Sequence, residues 1–535
     1  MLGVHEFEAL DLRLYSTKQN SIEPSIGVPG VNLWVTMGDL HGNALKLLKF
    51  IHLEDIVHVS RDSYLLFVQL YEDAQSDELS LRISAANAFY QDVLPSIMVT
   101  RGANFRGLGD MLSDRGASDF FTLHLIGKLV DGGANVEIIL SNHDSLFIQW
   151  MEAKLQGERV EIWEQLSEGQ AESLRRLDEL VELGVVQMDQ LKSLYDKYKQ
   201  TLKLLSYDYN EEGQFILHSH AHLDERHVLL MANGLLDTYG DYMSPEVIIS
   251  LVTLCDRLNN DPHAMISEAD SKALVDIINL VVRNCADKNE LTDLINVNKE
   301  YMNKRQSNGN GIDPTANPVH YALWNRDDID EEEQDRPKNP SIINSHGHHT
   351  YEQEYALCLD NRFGRPDHPD SAYVGNLVFM RTTPVNVFEI RYAQLTELMQ
   401  FLVSRRNMML DHDRQTGEMN IALSTRMRNS TVNMVCMHLI NCFSEMKFDD
   451  NPTHHAETMN KSWAAIDEII TRKSNPGLVQ KMKRDWGDKL MRHAPGPKAT
   501  VNQVVFRWAS HKEKHEATAA ATMRKDGRAG TFFAH

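Results

Sequence analysis

The sequence predicts an α/β fold for residues 1–391, followed by a helical region at residues 392–535. Short apolar or alternating segments, typical of strands, recur in the first part, and four of them are followed within a residue or two by Asp, Asn or His. Long stretches between them place apolar residues at helical spacing and contain almost no Gly or Pro. At 535 residues the chain is also too long for one compact core, so we expect at least two domains.

Several segments fit the strand pattern. They are residues 31–37, 136–140, 215–217, 342–343, 355–359, 376–381 and 387–391. Residues 44–52 follow the first of these with helical apolar spacing, which predicts a strand–loop–helix unit. Residues 303–318 are rich in Asn, Gly and Pro and are predicted to form a loop.

Helical insertions are predicted to interrupt the strands of the first domain. They cover about residues 53–100, which are mixed in pattern, 148–205 and 225–300. From about residue 392 onward the pattern turns helical and stays so. We therefore place the domain boundary there and assign residues 392–535 to a helical C-terminal domain with a basic tail.

Composition limits the classes of protein. No run of about 18 or more apolar residues exists, so no transmembrane helix is expected. The N-terminus lacks a basic segment followed by an apolar stretch, so we predict no signal peptide and a cytoplasmic location. The cysteines are scattered and form no CxxC pair, which favours a reducing compartment over a disulfide framework or a zinc ribbon.

The charge is strongly acidic overall but uneven. A formal charge of -22 argues against generic binding of the whole chain to nucleic acid or to an anionic membrane. From Arg472 to the end, 14 Lys and Arg residues stand against 5 Asp and Glu residues. This tail is interpreted first as a solvated basic helix. The alternatives are a contact with an acidic protein, a membrane surface or a secretion machinery.

Polar residues at strand ends form the candidate site. Carboxyl ends of strands meet at one edge of an open α/β sheet, where such folds bind ligands. Carboxylates and imidazoles suit Mn, Fe or Zn, and a pair of metals can clamp a phosphoryl oxygen. Asp39 and His41, at positions i and i+2, are expected to point to the same side of an extended chain. Asp110 has two oxygens to bridge a metal pair, and Asn142 offers a neutral carbonyl oxygen.

In order, these blocks resemble those of the phosphoprotein phosphatase family of metallophosphatases. The family pattern is GDxHG, GDxxDRG, GNH(E/D), a strand followed by His, and a late His after a strand. This sequence has GDLHGN, GDMLSDRG, SNHD, FILHSHAHL and IINSHGHHT. The resemblance covers residues 31 to about 390 and implies a calcineurin-like metallophosphatase β-sandwich flanked by helices.

The resemblance implies two divalent metal ions, with manganese as the first choice and iron or zinc as alternatives. One metal would be held by Asp39, His41 and Asp110, and the other by Asp110, Asn142, His220 and His348. It also implies hydrolysis of phospho-Ser/Thr or phospho-Tyr in a protein substrate, by attack of a metal-bound hydroxide.

Four further residues receive roles from the resemblance. His143 would protonate the leaving oxygen, and Asp114 would orient His143. Arg115 would bind phosphate oxygens bidentately. The segment ALWNRD resembles the family's LW-x-R segment, so Arg326 would be a second phosphate clamp.

The chain departs from the family pattern in two places. Three residues separate Asp110 from Asp114 where the family has two, so this turn must bulge by one residue. The histidine clusters leave alternatives open, with His218 and His222 as the alternatives to His220. His346 and His349 are likewise neighbours of His348.

Other functions remain open from the sequence. The same fold would suit a small phosphate compound, such as a dinucleotide polyphosphate or a cyclic nucleotide. A pseudo-enzyme or adaptor acting through residues 392–535, which are expected to bind a protein or a membrane surface, is a third hypothesis. A more specific similarity is to effector phosphatases that intracellular bacteria deliver into host cells, which would place the protein in a host.

Overall fold

A computed structural model gives the fold of a large part of the chain. It describes residues 4–16, 33–158, 171–210, 214–223, 225–260, 266–295, 318–324, 342–347, 356–360, 363–365 and 372–384. All of these lie in the first of two compact units into which the chain divides, Met1–Ser25 with Asn32–Val385. The predicted boundary at residue 392, the helical domain after it and the predicted strand at 387–391 lie outside the described residues.

The strands form three sheets. In chain order they are β1 Val4–Asp11, β2 Trp34–Met37, β3 Val57–His58, β4 Met98–Val99, β5 Asn104–Gly107, β6 Asn135–Ile139, β7 Leu202–Lys203, β8 Ser206–Tyr209, β9 Phe215–Ser219, β10 Ile342–His346, β11 Ala356–Cys358 and β12 Val374–Thr382. Six strands form one sheet in the order β1-β12-β2-β5-β6-β7, and four form another in the order β11-β10-β9-β8. The short strands β3 and β4 pair with each other.

Each large sheet contains a parallel block. β2, β5, β6 and β7 run parallel in the first sheet, while β12 and β1 complete it in antiparallel pairing. β9, β10 and β11 run parallel in the second sheet, and β8 is antiparallel to β9. The carboxyl ends within each parallel block therefore meet at one edge of its sheet, as the sequence pattern requires.

In chain order, helices alternate with the strands of the two large sheets. They are α1 Ala44–Leu53, α2 Arg61–Asp73, α3 Leu79–Ala88, α4 Asp119–Asp131, α5 Asn142–Gln156, α6 Glu172–Glu182, α7 Met188–Thr201, α8 Glu225–Tyr239, α9 Pro245–Asn260, α10 Glu268–Lys288, α11 Leu291–Ile295 and α12 Pro318–Trp324. A π-helical turn at Phe89–Val93 and 3-10 turns at Leu94–Ser96 and Gly240–Tyr242 extend them. No helix in the described part of the chain is both long and apolar enough to cross a membrane.

The helices begin where the sequence supplies capping side chains. Asn43 caps α1 by accepting a hydrogen bond from the Lys46 amide at 3.0 Å, and Ser141 caps α5 by accepting one from the Asp144 amide at 3.0 Å. Side-chain oxygens at this position satisfy amides that the first helical turn leaves without a partner. Both caps belong to blocks that the sequence pattern singled out: α1 starts shortly after Asp39 and His41, and the first turn of α5 contains Asn142 and His143.

The α/β class predicted from the sequence is confirmed. The predicted helix 44–52 is present as α1, and most of the predicted strands coincide with β2, β6 and β9 to β12 within a few residues. The segments expected as insertions contain α2 and α3, the later part of α5 with α6 and α7, and α8 to α11. β1, β5 and β8 were not among the predicted strands, nor were the short strands β3, β4 and β7. Pro318, assigned to a loop, begins α12.

A buried ionic network connects the two large sheets. Arg106 on β5 is 1 % exposed and donates through Nη1 to Asp208 Oδ2 on β8 at 2.6 Å. Its Nε donates to Glu137 Oε2 on β6 at 2.9 Å. His218 Nε2 on β9 lies 2.8 Å from Asp208 Oδ1, and Thr382 on β12 donates to Asp208 Oδ2 at 2.6 Å. Five strands from both sheets therefore share one set of charges.

A small apolar cluster lies beside this network. It also combines the two sheets, with Leu108, Ile139 and Met380 from the first and Ile216 and Leu359 from the second. All five side chains are buried. Burial alone would raise the pKa of Asp208, but the charges of Arg106 and His218 lower it to about 2. The contact between the sheets thus combines a charged carboxylate and its partners with a small set of apolar side chains.

Replacing Arg106 by Met is expected to lower the free energy of unfolding by about 3–5 kcal/mol, because it leaves Asp208 buried and charged without its main partner. Urea unfolding at neutral pH measures this change. As a control, Lys192→Ala removes only an exposed partner of Asp196 and should leave the unfolding midpoint nearly unchanged. Equal midpoints for the Arg106 and Lys192 variants would contradict the role given to the network.

Candidate active site

Side chains from both sheets meet where the parallel strands end. Asp39 follows β2, Asp110 follows β5, Asn142 follows β6 and His220 follows β9. Each of these four residues is at most 3 % exposed. The structure therefore brings together side chains that are far apart in sequence and that the strand-end pattern had selected.

The first group of polar atoms surrounds His220. Its Nδ1 lies 2.9 Å from the Leu108 carbonyl and 3.3 Å from Asp39 Oδ1, while its Nε2 lies 2.7 Å from Asn142 Oδ1. Asp110 Oδ1 lies 3.7 Å from the same Nε2. Asp39, Asp110 and His220 each offer an atom within 4.8 Å of the others, which is close enough to hold one metal ion.

A second group shares Asp110. His41, Asp110 and Asp114 also offer atoms that all lie within 4.8 Å of one another. His41 Nδ1 lies 3.3 Å from Asp114 Oδ2, and its Nε2 lies 3.1 Å from Asp360 Oδ1. Asp110 thus belongs to two adjacent groups, as expected of a bridging carboxylate. Asp39 and His41, which the sequence pattern assigns to one metal, fall in different groups here.

The backbone at this site is not extended, contrary to the sequence expectation for Asp39 and His41. His41 has a φ of 58°, Asp110 of 50° and Ser113 of 56°. Left-handed backbone at residues other than glycine costs of order 1–3 kcal/mol each and is concentrated at functional sites. Because His41 has a left-handed backbone, its side chain does not follow the alternation expected of an extended chain.

The longer turn between Asp110 and Asp114 is accommodated by Ser113. Besides its left-handed backbone, Ser113 has an amide that donates to Asp119 at 3.0–3.1 Å. Asp144 Oδ1 accepts a hydrogen bond from the Leu112 amide at 3.0 Å. Two buried carboxylates therefore hold the extra residue in place, and Asp114 still reaches the site.

Asp114 contacts three cationic or titratable side chains. Its Oδ2 faces His41, while its Oδ1 lies 2.5 Å from Arg115 Nη1 and 3.6 Å from His143 Nε2. His143 Nδ1 lies 2.9 Å from the Ser113 carbonyl, so that nitrogen donates and Nε2 faces Asp114. Arg115 is 22 % exposed and thus lies at the edge of this buried group.

The charges of the site shift the pKa values of its histidines. Burial alone would lower the pKa of His41, but its hydrogen bonds to Asp114 and Asp360 raise it to about 9. Burial is likewise outweighed at His220, where Asp39 and Asp110 raise the pKa to about 9. Asp114 and Asp110 raise the pKa of His143 against its burial. The site thus favours positive charge at three places.

The residues fit a pair of divalent cations. Asp39, Asp110, Asp114 and Asp360 bring four carboxylates into a small buried volume. Asp110 Oδ1 is buried and has no hydrogen-bond partner among the described residues. A buried carboxylate oxygen is costly unless it is hydrogen-bonded, paired with a charge or bound to a metal. The buried cluster of acids and histidines is therefore compatible with metal binding, and oxygen and imidazole ligands suit Mn, Fe and Zn.

The structure separates the histidines that the sequence left as alternatives. His220 lies in the site, whereas His218 Nε2 pairs with Asp208 in the network between the sheets. His222 is buried with its ring 5.5 Å from that of His346. Gly347 donates to the His220 carbonyl at 3.2 Å, and a Cβ there would lie 2.4 Å from Asp39 Oδ1. The chain thus enters the site after β10.

Three predicted residues cannot be placed. His348, the neighbouring alternative His349 and the predicted phosphate clamp Arg326 lie outside the described residues. Their roles as metal ligands or substrate contacts stay predictions.

Three residues at the site were missed from the sequence. Asp360 follows the segment 355–359, which the pattern had identified as a strand, so the same strand-end signal could have found it. Lys46 is 3 % exposed and donates through Nζ to the Asp39 carbonyl at 2.6 Å. Burial lowers its pKa to about 8 against the surrounding acids. Ser173 donates through its amide and Oγ to the Asp114 carbonyl at 3.0 and 3.1 Å, and no sequence signal marks it.

Part of the chain matches a family model of a phosphatase domain. Residues 104–365 match the family model described as "WipA-like, phosphatase domain". The predicted enzyme class, a phosphatase, is thereby confirmed at the level of this domain. The matched region includes Asp110, Asn142 and His220, and it begins after Asp39 and His41.

Among solved structures, the chain is similar to the phosphatase domain from the Legionella effector WipB. That match has 24 % sequence identity and a TM-score of 0.47, and it covers 60 % of this chain and 100 % of the WipB domain chain. A search of curated proteins found no match.

Replacing Gly109 by Ala is expected to displace His220. Gly109 has a φ of 118°, and a Cβ there would lie 2.4 Å from His220 Nδ1. We expect the rate of p-nitrophenyl phosphate hydrolysis to fall at least about tenfold. Displacing a site residue such as His220 should raise the activation free energy by about 1.4 kcal/mol or more.

Gly157→Ala is the matched control. Gly157 also has a left-handed φ, of 72°, but a Cβ there would meet nothing within 4 Å. Its replacement should cost about 1 kcal/mol of stability and leave turnover at the wild-type rate. If both variants lose stability and neither loses turnover, the close packing of Gly109 on His220 does not matter for activity.

Proposed function

We propose that the chain is a dimetal-dependent phosphoprotein phosphatase that hydrolyses phospho-Ser/Thr or phospho-Tyr in a protein substrate. The observation that supports this most directly is Asp110, which belongs to two adjacent groups of ligand atoms. The match of residues 104–365 to a phosphatase domain supports the reaction class. The two large sheets would correspond to a calcineurin-like β-sandwich flanked by helices.

The proposed metal ligands come from the sequence resemblance. One cation would be held by Asp39, His41 and Asp110, and the other by Asp110, Asn142, His220 and His348. The geometry of the described residues favours one change in this scheme, since His41 lies with Asp114 and Asp39 lies with His220. When bound, two divalent cations would supply positive charge to the phosphoryl oxygens and make a water molecule more acidic. We propose manganese as the native metal, with iron or zinc as alternatives.

The chain's own residues would handle the proton of the leaving group. The Nδ1–H of His143 donates to the Ser113 carbonyl, which leaves Nε2 facing Asp114 and the site. Because Asp114 and Asp110 raise the pKa of His143, its Nε2 holds a proton that can pass to the leaving oxygen. Asp114 would keep the imidazole in this orientation. Arg115, at the edge of the group, would bind the phosphate oxygens when substrate is present.

The proposed setting follows the sequence resemblance. The protein would act as an effector delivered into a host cell, where its substrate would be a phosphorylated protein. Residues 392–535 would bind a protein or a membrane surface. The helical segments that are described between the strands, α6 and α7 among them, would wall the site and favour a folded substrate over a small one.

Metal analysis coupled to an activity assay tests the proposal. We expect about two Mn²⁺ per chain and hydrolysis of p-nitrophenyl phosphate by the full-length protein. Asp110→Ala removes the shared carboxylate, so it should lose both metals and lower turnover at least about 100-fold, since metal ions contribute several kcal/mol. Asn142→Ala should weaken one metal only.

The control for this experiment is Glu152→Gln. Glu152 is 2 % exposed and accepts hydrogen bonds from Tyr195 and the Thr292 amide, away from the site. Its removal tests whether loss of any buried carboxylate reduces metal content. Wild-type protein that binds no metal and remains inactive in added Mn²⁺ would exclude the proposed function.

His143→Gln is expected to show that the histidine acts on the leaving group. Turnover of a phosphoserine peptide should fall by about 10²–10⁴-fold, the contribution typical of a general acid. Turnover of p-nitrophenyl phosphate should fall much less, because nitrophenolate leaves without needing a proton. Steady-state kinetics on both substrates measure the difference. Equal losses on the two substrates would assign His143 a role other than proton donation.

A further inference from the structure

Asp360 is a buried carboxylate of the site that neither the sequence resemblance nor either group of metal-ligating atoms includes. It follows β11, the outer strand of the parallel block in the second sheet. Its side chain is 4 % exposed. The neighbouring backbone is fixed, because the Leu359 amide donates to the His346 carbonyl at 2.9 Å. Asp360 is thus delivered to the site by the same strand-end geometry as the proposed ligands.

The contacts of His41 define what Asp360 does. His41 is 3 % exposed, and each of its ring nitrogens faces a different carboxylate. Nδ1 lies 3.3 Å from Asp114 Oδ2, and Asp114 belongs to a group that could hold a metal. Nε2 lies 3.1 Å from Asp360 Oδ1 on the other side of the ring. Nδ1 is therefore the nitrogen of His41 that faces Asp114, a member of the group that includes Asp110.

Metal-ligating histidines usually donate their second ring N–H to a carboxylate or a carbonyl. That contact fixes which nitrogen carries the proton and how the ring is turned, and its loss typically costs 10–100-fold in metal affinity. His220 has such a contact with the Leu108 carbonyl. Asp360 occupies the equivalent position for His41.

We propose that Asp360 is a positioning residue that accepts the Nε2 proton of His41 and so directs Nδ1 of that histidine toward the metal pair. The inference rests on the proposed metal-dependent function and adds to it the nitrogen through which His41 binds. Asp360 does not itself touch the substrate. Direct ligation by Asp360 and a purely structural role are the two competing explanations.

Two substitutions in the full-length protein separate these explanations. Asp360→Ala removes the acceptor, so one of the two Mn²⁺ ions should bind about 10–100-fold more weakly, as measured by calorimetric titration and by electron paramagnetic resonance of free Mn²⁺. Asp360→Asn keeps an oxygen that can accept the Nε2 proton, and it should recover most of the lost affinity. Glu152→Gln, the buried control, should bind both ions as the wild type does.

A second measurement does not depend on metal. In protein labelled with ¹⁵N only at histidine, a hydrogen-bonded Nε2 proton of His41 should give a downfield signal that is absent from His41→Gln. This signal should persist in Asp360→Asn and disappear in Asp360→Ala. Thermal unfolding of each variant shows whether the chain has kept its fold.

The outcomes are distinguishable. Wild-type affinities for both ions in Asp360→Ala, with the His41 signal unchanged, would overturn the inference and leave the proposed function intact. Equal loss of affinity in the Ala and Asn variants would also overturn it, because direct ligation requires the carboxylate. If the wild type binds no Mn²⁺, the proposed function fails, and the His41 signal alone then decides whether Asp360 orients this histidine.

Discussion

The site depends on the buried contact between Arg106 and Asp208, because this pair joins the sheet that supplies Asp110 to the sheet that supplies His220. Arg106 lies four residues before Asp110 on the same strand and loop. His218, which also contacts Asp208, lies two residues before His220. A change in the distance between the sheets would therefore move the two halves of the site relative to each other.

Successive residues on one face of β9 illustrate the arrangement. Side chains alternate across a strand, so Ile216 and His218 point to the same side, and His220 follows directly after the strand ends. Ile216 packs in the apolar cluster between the sheets, His218 pairs with Asp208, and His220 lies among the site acids. This face thus passes from apolar packing through a buried hydrogen bond to the polar site.

Such a site is costly to bury. Ionised carboxylates lose their hydration in the interior, and they remain charged only where cations or donors compensate them. Here His41, His143, His220 and Lys46 supply part of that compensation. Divalent cations would supply the rest. The left-handed backbone at His41 and Asp110 adds strain that the surrounding core must outweigh.

The sequence was sufficient where a residue follows a strand within one or two positions. That signal selected Asp39 and Asn142, and it would have selected Asp360 had it been applied to residues 355–359. Asp110 follows β5, a strand that was not among the predicted segments. The strand-end signal could not choose between His218 and His220, because both closely follow the predicted strand 215–217. The choice depends on Asp208, which comes from a strand that the pattern did not predict.

Other features could not be predicted because they depend on contacts distant in sequence. Helical spacing in α1 would place Lys46 and Lys49 on a solvent-facing side, yet every residue of this helix is buried. The residues that cover that side come from elsewhere in the chain: Leu14 and Ser16 accept from Lys49, and Phe363 lies near Lys46. The hydrophobic periodicity of α1 alone cannot show that distant residues will bury its polar side.

Ser173 shows the same limit and changes the interpretation of the segment at 148–205. The sequence predicted only that this segment is helical. In the structure, the amide and Oγ of Ser173 both donate to the carbonyl of Asp114, whose carboxylate faces His41 and His143. Arg176, one turn further along α6, donates to the Ala117 carbonyl at 3.3 Å. The helix that borders the site and the loop that orients the proposed proton donor therefore form one hydrogen-bonded unit, so a change in the position of α6 would also change the position of Asp114.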